Sequence, residues 1–266
     1  MATINYRLQK LAEELFIKYG SKEREYINGK IENFKQNIKS YFGNQVDEIL
    51  VFGSFSRSTI LPREFDESSD IDVLIVFNQQ LNTYNSETYR NQLKRFAIAK
   101  YPTTKVLKDH PSIVLEMQKI KFDLVPCRYL STFWNNTYQI PNRESVWINT
   151  DPKGFNTLLT NNNNKYNSIL KPIIRLIKRW NASNDYPYKT FELEQIIAEM
   201  NFSGDNFEKG FFYAVENLPK DNLGIYQTAK VNTLQKNIKL IKQKLEINDQ
   251  TKAEEILLNI LNLKYK

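Results

Sequence analysis

A single cysteine, Cys127, and a single histidine, His110, among 266 residues remove two classes of function at the outset. One thiol forms no intrachain disulfide, and one imidazole excludes the usual His-rich zinc and iron sites. His110 stands just before Pro111 and reads as a loop residue. No run of about eighteen apolar residues is present to cross a membrane. The opening segment ATINYRLQKLAEELFIKYG is a charged amphipathic helix without the apolar core of a signal peptide. These absences lead to the expectation of a cytoplasmic protein with no membrane contact. Glycine is scarce while lysine, asparagine and isoleucine are abundant, a composition that fits an AT-rich coding genome.

What is present suits a folded enzyme. A hydrophobic content of 41% fills a sizeable core, enough for one large domain or two packed lobes. The formal net charge of +7 favours an anionic ligand, either nucleoside triphosphates or nucleic acid. A dedicated nucleic-acid binder would show a dense Lys/Arg stripe, a zinc module or an aromatic RNA-binding module, and none is evident. The basic residues are instead spread along helices, where their default reading is a solvated face.

The most informative stretch is ILVFGSFSRSTILPREFDESSDIDVLIV, residues 49–76. An apolar strand ends in Gly53-Ser54, a polar run follows, and Asp70 and Asp72 head a second apolar strand. Side chains alternate along a strand, so Asp70 and Asp72 share one face while Ile71 and Val73 enter the core. Gly53 permits a tight turn, and Ser54 with the following amides is suited to phosphate oxygens. Two hard ligands and a phosphate cradle thereby converge on a two-metal nucleotidyl-transfer site. The signature is that of the DNA polymerase beta-like nucleotidyltransferase superfamily, which it resembles in order and spacing.

Holding two divalent ions requires a third carboxylate. The segment SIVLEMQKIKFDLVPC reads as a hairpin, with a strand over 113–117, a turn at 118–119 and a return strand over 120–127. On the return strand Ile120, Phe122 and Leu124 alternate with Lys121, Asp123 and Val125. A carboxylate inside an apolar strand is costly unless it binds something, which makes Asp123 the candidate. Glu116, on the neighbouring strand, is the competitor.

Around these strands, residues 4–18 and 22–42 read as amphipathic helices that would pack behind the sheet, and a helix near 86–100 covers one face. SVWINTDPKGFNTLL reads as a loop leading into Asn161 to Asn164, a helix interruption or surface loop. A helical lobe then begins with YNSILKPIIRLIKRWN. The expected fold is α/β (α+β): a catalytic core with a mixed sheet and N-terminal helices over 1–160, and a helical C-terminal lobe over 161–266 that closes the nucleotide cleft. In the second lobe Pro172 restricts or kinks the helix start, and Ile173, Ile174, Leu176, Ile177 and Trp180 form the buried side. Lys171, Arg175 and Lys178 then line one face at spacings of four and three. Beside a metal triad, such cations would neutralise triphosphate charge, with Lys178 as first choice.

Gly53-Ser54, Asp70-Ile71-Asp72, Asp123 before Val125-Pro126, Thr150-Asp151-Pro152, Lys178-Arg179-Trp180 and Thr190-Phe191-Glu192-Leu193-Glu194 occur in the order seen in the cGAS/DncV-like nucleotidyltransferases, which the chain resembles over roughly residues 48–200. The resemblance implies two Mg²⁺ ions, with Mn²⁺ as substitute, held by Asp70, Asp72 and Asp123. It implies donor-triphosphate contacts from Ser54 and Lys178 and an Arg175 facing the acceptor's phosphates. Phe191 stands where many relatives have tyrosine, keeping a stacking face for the donor base and losing the hydroxyl; Thr190 offers one instead. The alternative for Phe191 is a core aromatic. The implied activity is synthesis of a cyclic oligonucleotide second messenger, foremost a cyclic dinucleotide, from substrates such as ATP and GTP, in bacterial anti-phage defence. A downstream effector would read the product, and a monomer that requires no nucleic acid is expected. A zinc insertion like that of the animal enzymes would need several Cys/His ligands and is absent from this sequence. Two alternatives stay open: a nucleotidyltransferase that modifies tRNA, protein or a small molecule, and a non-catalytic nucleic-acid-binding member of the fold.

Overall fold

The computed structural model describes residues 3–81, 83–109, 111–117, 119–131 and 136–263. His110 and part of the turn at 118–119 lie outside the described residues. The chain divides into two units, one made of residues 18–57 and 68–157, the other of residues 1–17, 58–67 and 158–266.

The first unit holds the sheet. Its strands are β1 (Val46–Phe52), β2 (Ile71–Phe77), β3 (Lys105–Asp109), β4 (Ser112–Glu116), β5 (Lys121–Ser131), β6 (Asn136–Pro141) and β7 (Trp147–Thr150). The order is β1-β2-β5-β4-β3, with β6 and β7 continuing from the far end of β5. Among the described residues only β2 and β5 run parallel, and the other pairs are antiparallel, so the sheet is mixed. β2 is buried along almost its whole length, as an apolar run in a sheet covered on both faces would be, whereas β1 at the end of the order is half-buried.

One sheet face is closed by α2 (Lys22–Phe42) and α4 (Ser86–Lys100) through aromatic contacts. Phe34 stacks on Phe122 with ring centroids 5.0 Å apart and meets Phe96 edge-on. Phe77 stacks on Tyr89 and takes Phe42 edge-on. The opposite face buries Leu74, Val76, Val125 and Cys127, flanked by Leu50, Phe52, Tyr138 and Ile140. Period-two alternation thus sends Ile71, Val73, Phe122 and Leu124 to one side, and Asp72 and Asp123 to the other.

The second unit is helical: α1 (Ile4–Glu14), α6 (Leu170–Ala182), α7 (Thr190–Ala198), α8 (Phe207–Glu216), α9 (Ile225–Glu246) and α10 (Gln250–Leu261). The helix α6 is apolar on most of its circumference, with Leu170, Ile173, Ile174, Leu176, Ile177 and Trp180 buried. Gly210 lets α8 approach closely, since a Cβ there would lie 3.0 Å from the Ile173 side chain. Residues 58–67 belong with these helices because three side chains fasten them. Arg175 donates to the Ser58 carbonyl at 3.0 Å, Arg179 to the Phe65 carbonyl, and the Tyr186 hydroxyl to Asp66.

Three expectations change. α1 joins the helical unit rather than the back of the sheet: Arg7 pairs with Glu254 at 2.8 Å, and the Ile4 amide donates to Gln250. Amphipathicity says that a face is buried, not against what. The boundary between the units falls at 157/158, within α5 (Gly154–Lys165), and 58–67 crosses over, so the expected 1–160 and 161–266 division is only approximate. The segment read as a loop contains β7 and α5, and Asn161 to Asn164 are helical. Asp151 Oδ1 accepts from the Gly154 and Lys153 amides at 2.7 and 3.2 Å and starts that helix. Asn162 donates to the Ala198 carbonyl and Asn163 accepts from the Lys171 amide, so this polar run joins helices.

Cys127 supplies a probe of this fold. It is fully buried, and burial pushes its thiol up to about 12. Labelling by a thiol reagent at pH 8 is therefore expected to follow unfolding, with no fast phase in the native protein. Rapid stoichiometric labelling without denaturant would show that this sheet face is open.

Candidate active site

The end of β2 and the start of β5 build the carboxylate site from register alone. Asp72 is paired with Asp123 across the parallel ladder, and Ile71 with Phe122. Parallel partners share a face, so the two carboxylates stand side by side. Phe52, the last residue of β1, is the register partner of Asp72, and Gly53 follows in a left-handed conformation with φ of 70°. A Cβ at Gly53 would lie 1.8 Å from Asp72 Oδ2, so only glycine permits this approach. Ser54 follows in the short helix α3 (Gly53–Arg57), where Ser56 donates to the Gly53 carbonyl at 2.9 Å.

Between Asp70 and Asp123 sits a cation not named among the expected site residues. The Lys121 ammonium is 3.3 Å from Asp70 Oδ2 and 3.5 Å from Asp123 Oδ1. Asp123 Oδ1 is buried and makes no hydrogen bond, while Oδ2 accepts from Ser112 at 3.4 Å. Burial, then the charge of Asp70, lift the Asp123 carboxyl to about 6 against the pull of Lys121. Burial works against the Lys121 charge, but Asp123 and Asp70 outweigh it and hold the ammonium above the usual lysine value. The alternation of Lys121 with Asp123 was the sequence signal for this neighbour. Glu116, the competing third carboxylate, stands across from Lys121 and pairs with Lys105 at 3.5 Å, whereas Val114 faces Asp123. Asp123 is the third member by position.

The residues fit a hard divalent cation. A glycine cradle against Asp72 and an ammonium already bridging two carboxylates are both marks of a cation-seeking site. Among the described residues no three His, Cys, Asp or Glu side chains already surround one point at metal-binding spacing.

In the helical unit the cations of α6 differ from expectation. Lys171 donates to Thr160 at 3.2 Å on the surface. Arg175 is buried, donating to the Ala12 and Ser58 carbonyls with its guanidinium 4.6 Å from the Phe16 ring centroid. Lys178 is 3% exposed and pairs at 2.8 Å with Glu194, itself 0% exposed, which also accepts from Thr59 at 2.9 Å. Arg175 and Lys178, expected to face phosphates, are thus both buried and hydrogen-bonded within the helical unit. Helical spacing placed them on one face, but the partners that claim them come from distant segments. Glu194 and Thr59 went unnoticed for that reason, although Glu194 lies within the Thr190–Glu194 segment already singled out. Phe191, by contrast, is 48% exposed in the first turn of α7, so it is not a core aromatic; Thr190 precedes it, half-buried.

Breaking one side of a buried ion pair costs about 3–5 kcal/mol because the partner is left uncompensated. Lys178→Met is expected to lower the melting temperature strongly, and adding Glu194→Leu to recover much of the loss. A thermally neutral Lys178→Met that raises the KM for nucleotide would return Lys178 to a substrate-contact role.

Comparison with known proteins shows the family and the fold. Residues 1–163 match the family model described as the Second Messenger Oligonucleotide or Dinucleotide Synthetase (SMODS) domain. A probable cyclic nucleotide synthase of Bacillus cereus (strain VD146) is 26% identical over 265 residues, covering 82% of this chain and 77% of the relative. A cyclic AMP-AMP-AMP synthase of Acinetobacter sp. is 27% identical over 183 residues, and the match spans 65% of this chain and about half, 52%, of that protein. Among solved structures, the Bradyrhizobium diazoefficiens CD-NTase CdnG in complex with GTP superposes with a TM-score of 0.69 at 13% identity over 97% of both chains. The Vibrio cholerae DncV cyclic AMP-GMP synthase superposes with a TM-score of 0.63 at 13% identity, covering 80% of this chain and 68% of that one. With a matching family model over most of the chain and the same fold in these enzymes, the chain belongs to the SMODS family and is a cGAS/DncV-like nucleotidyltransferase.

Proposed function

We propose that this nucleotidyltransferase joins nucleoside triphosphates, with ATP and GTP the foremost candidates, into a cyclic oligonucleotide, first of all a cyclic dinucleotide. The observation that carries the reading is the pairing of Asp72 with Asp123 beside Gly53, with Asp70 on the same side. Asp70, Asp72 and Asp123 would hold two Mg²⁺ or Mn²⁺ ions, which when bound supply Lewis-acid activation of the attacking hydroxyl and charge neutralisation at the triphosphate. Gly53 and Ser54 would present backbone and hydroxyl groups to phosphate oxygens. Asp123 would also stand nearest the attacking hydroxyl and help to accept its proton. The exposed ring of Phe191 supplies a stacking face for a base, with the Thr190 hydroxyl beside it in sequence.

The family description supports a second-messenger role, and the names of the relatives support a cyclic product. We place the activity in bacterial anti-phage defence, with an effector protein as reader of the product and a cytoplasmic monomer as the working enzyme. Among the described residues no helix is long and apolar enough to cross a membrane.

Incubation with the four labelled nucleoside triphosphates and Mg²⁺ or Mn²⁺, followed by mass spectrometry of phosphatase-resistant products, is expected to reveal a cyclic dinucleotide. A cyclic trinucleotide would correct the ring size, and transfer only to an added tRNA or protein would replace the reading. Asp70→Asn with Asp72→Asn is expected to abolish product while leaving the melt cooperative, because charge is lost with little change in volume.

Phe191 separates recognition from packing. Because the ring is half exposed, Phe191→Leu is expected to change stability by no more than about 1 kcal/mol while weakening nucleotide use, and Phe191→Tyr to keep it. A strong loss of melting temperature with unchanged nucleotide affinity would make the ring a packing element.

A further inference from the structure

Lys121 reaches the site from β5 itself, two residues before Asp123 and on the same face. Its cross-strand partner is Glu116, yet the Glu116 carboxylate pairs with Lys105. The Lys121 ammonium turns instead to Asp70 and Asp123, and its side chain is 21% exposed beside theirs at 27% and 15%. Asp109 adds further negative charge near Asp123. Carboxylates gathered on one half-buried face repel one another, and the only cation bridging two of them among the described residues is this lysine.

We propose that Lys121 is the resident counter-ion of the carboxylate site, holding Asp70 and Asp123 together while no divalent ion is bound and withdrawing when one binds. This rests on the assignment of Asp70, Asp72 and Asp123 as metal ligands. An ammonium and a divalent ion cannot share the gap between the same two oxygens, and the flexible four-carbon stem of lysine lets the charge leave toward solvent. Metal binding is therefore an exchange of cations. Lys121 keeps the empty site folded, and it lowers metal affinity below what the bare carboxylates would give.

The test is Mn²⁺ binding to the full chain without nucleotide, by calorimetry, together with thermal melts in EDTA and in saturating Mn²⁺. Lys121→Met keeps the stem and removes the charge; it is expected to bind Mn²⁺ about tenfold more tightly than wild type, with a lower melt in EDTA and a larger Mn²⁺-induced rise. Lys121→Arg is expected to stay close to wild type in both readings. Should Lys121→Met fail to fold in EDTA, Lys121→Gln is read in the same way. Unchanged or weaker Mn²⁺ binding by the neutral variant overturns the counter-ion role while wild-type binding, lost in Asp72→Asn, keeps the metal assignment. Absence of Mn²⁺ binding in both wild type and Lys121→Met overturns the metal assignment and the exchange with it.

Discussion

The parallel pairing of β2 with β5 is the constraint on which the catalytic unit depends. It sets Asp72 directly beside Asp123 while Ile71, Val73, Phe122 and Leu124 enter the aromatic layer under α2 and α4. Strand registers are enforced by what the other face buries, because a slip of one residue would send every side chain to the wrong side. The stacked pair of Phe34 and Phe122 therefore helps to hold carboxylates it never touches. Burial and then crowding of like charge follow, and they appear as a lifted Asp123 and a lysine held between two aspartates.

The helical unit uses charge in the opposite way. Arg175 and Lys178 lie on an almost wholly buried helix, and each is satisfied inside the protein, by backbone carbonyls in one case and by Glu194 in the other. Thr59, hydrogen-bonded to the same Glu194 oxygen as Lys178, belongs to the 58–67 segment that follows the Gly53–Arg57 helix. A short piece of chain that begins just after the phosphate-cradle residues is thus tied to α6 and α7 by buried polar contacts. Such contacts are costly to break, which favours a single arrangement of that segment over many.

The family match spans residues 1–163 and so contains Gly53, Ser54 and all three aspartates. Lys178, Thr190 and Phe191 lie beyond it. Phe191 is exposed beside its buried neighbours Leu193 and Glu194.

Local patterns were enough to locate most elements. The strands on either side of Gly53, the hairpin carrying Asp123 and the helices α2 and α4 follow from alternation, helical spacing and glycine placement, all of which act between residues close in the chain. The same alternation put Asp70, Asp72 and Asp123 on one side of their strands. Sequence could not show that α1 packs with α10 or that the asparagine run is helical, because amphipathic and polar patterns specify burial or capping without naming the partner. Nor could it show where the cations go. Whether a lysine on an apolar helix reaches solvent, a ligand or Glu194 is decided by what distant segments bring within about 3 Å, since the cost of burying a charge is offset only by a partner at contact distance. The three aspartates, and the face that Lys121 shares with Asp123, were thus specified by strand periodicity, and the glutamate that claims Lys178 by tertiary packing alone.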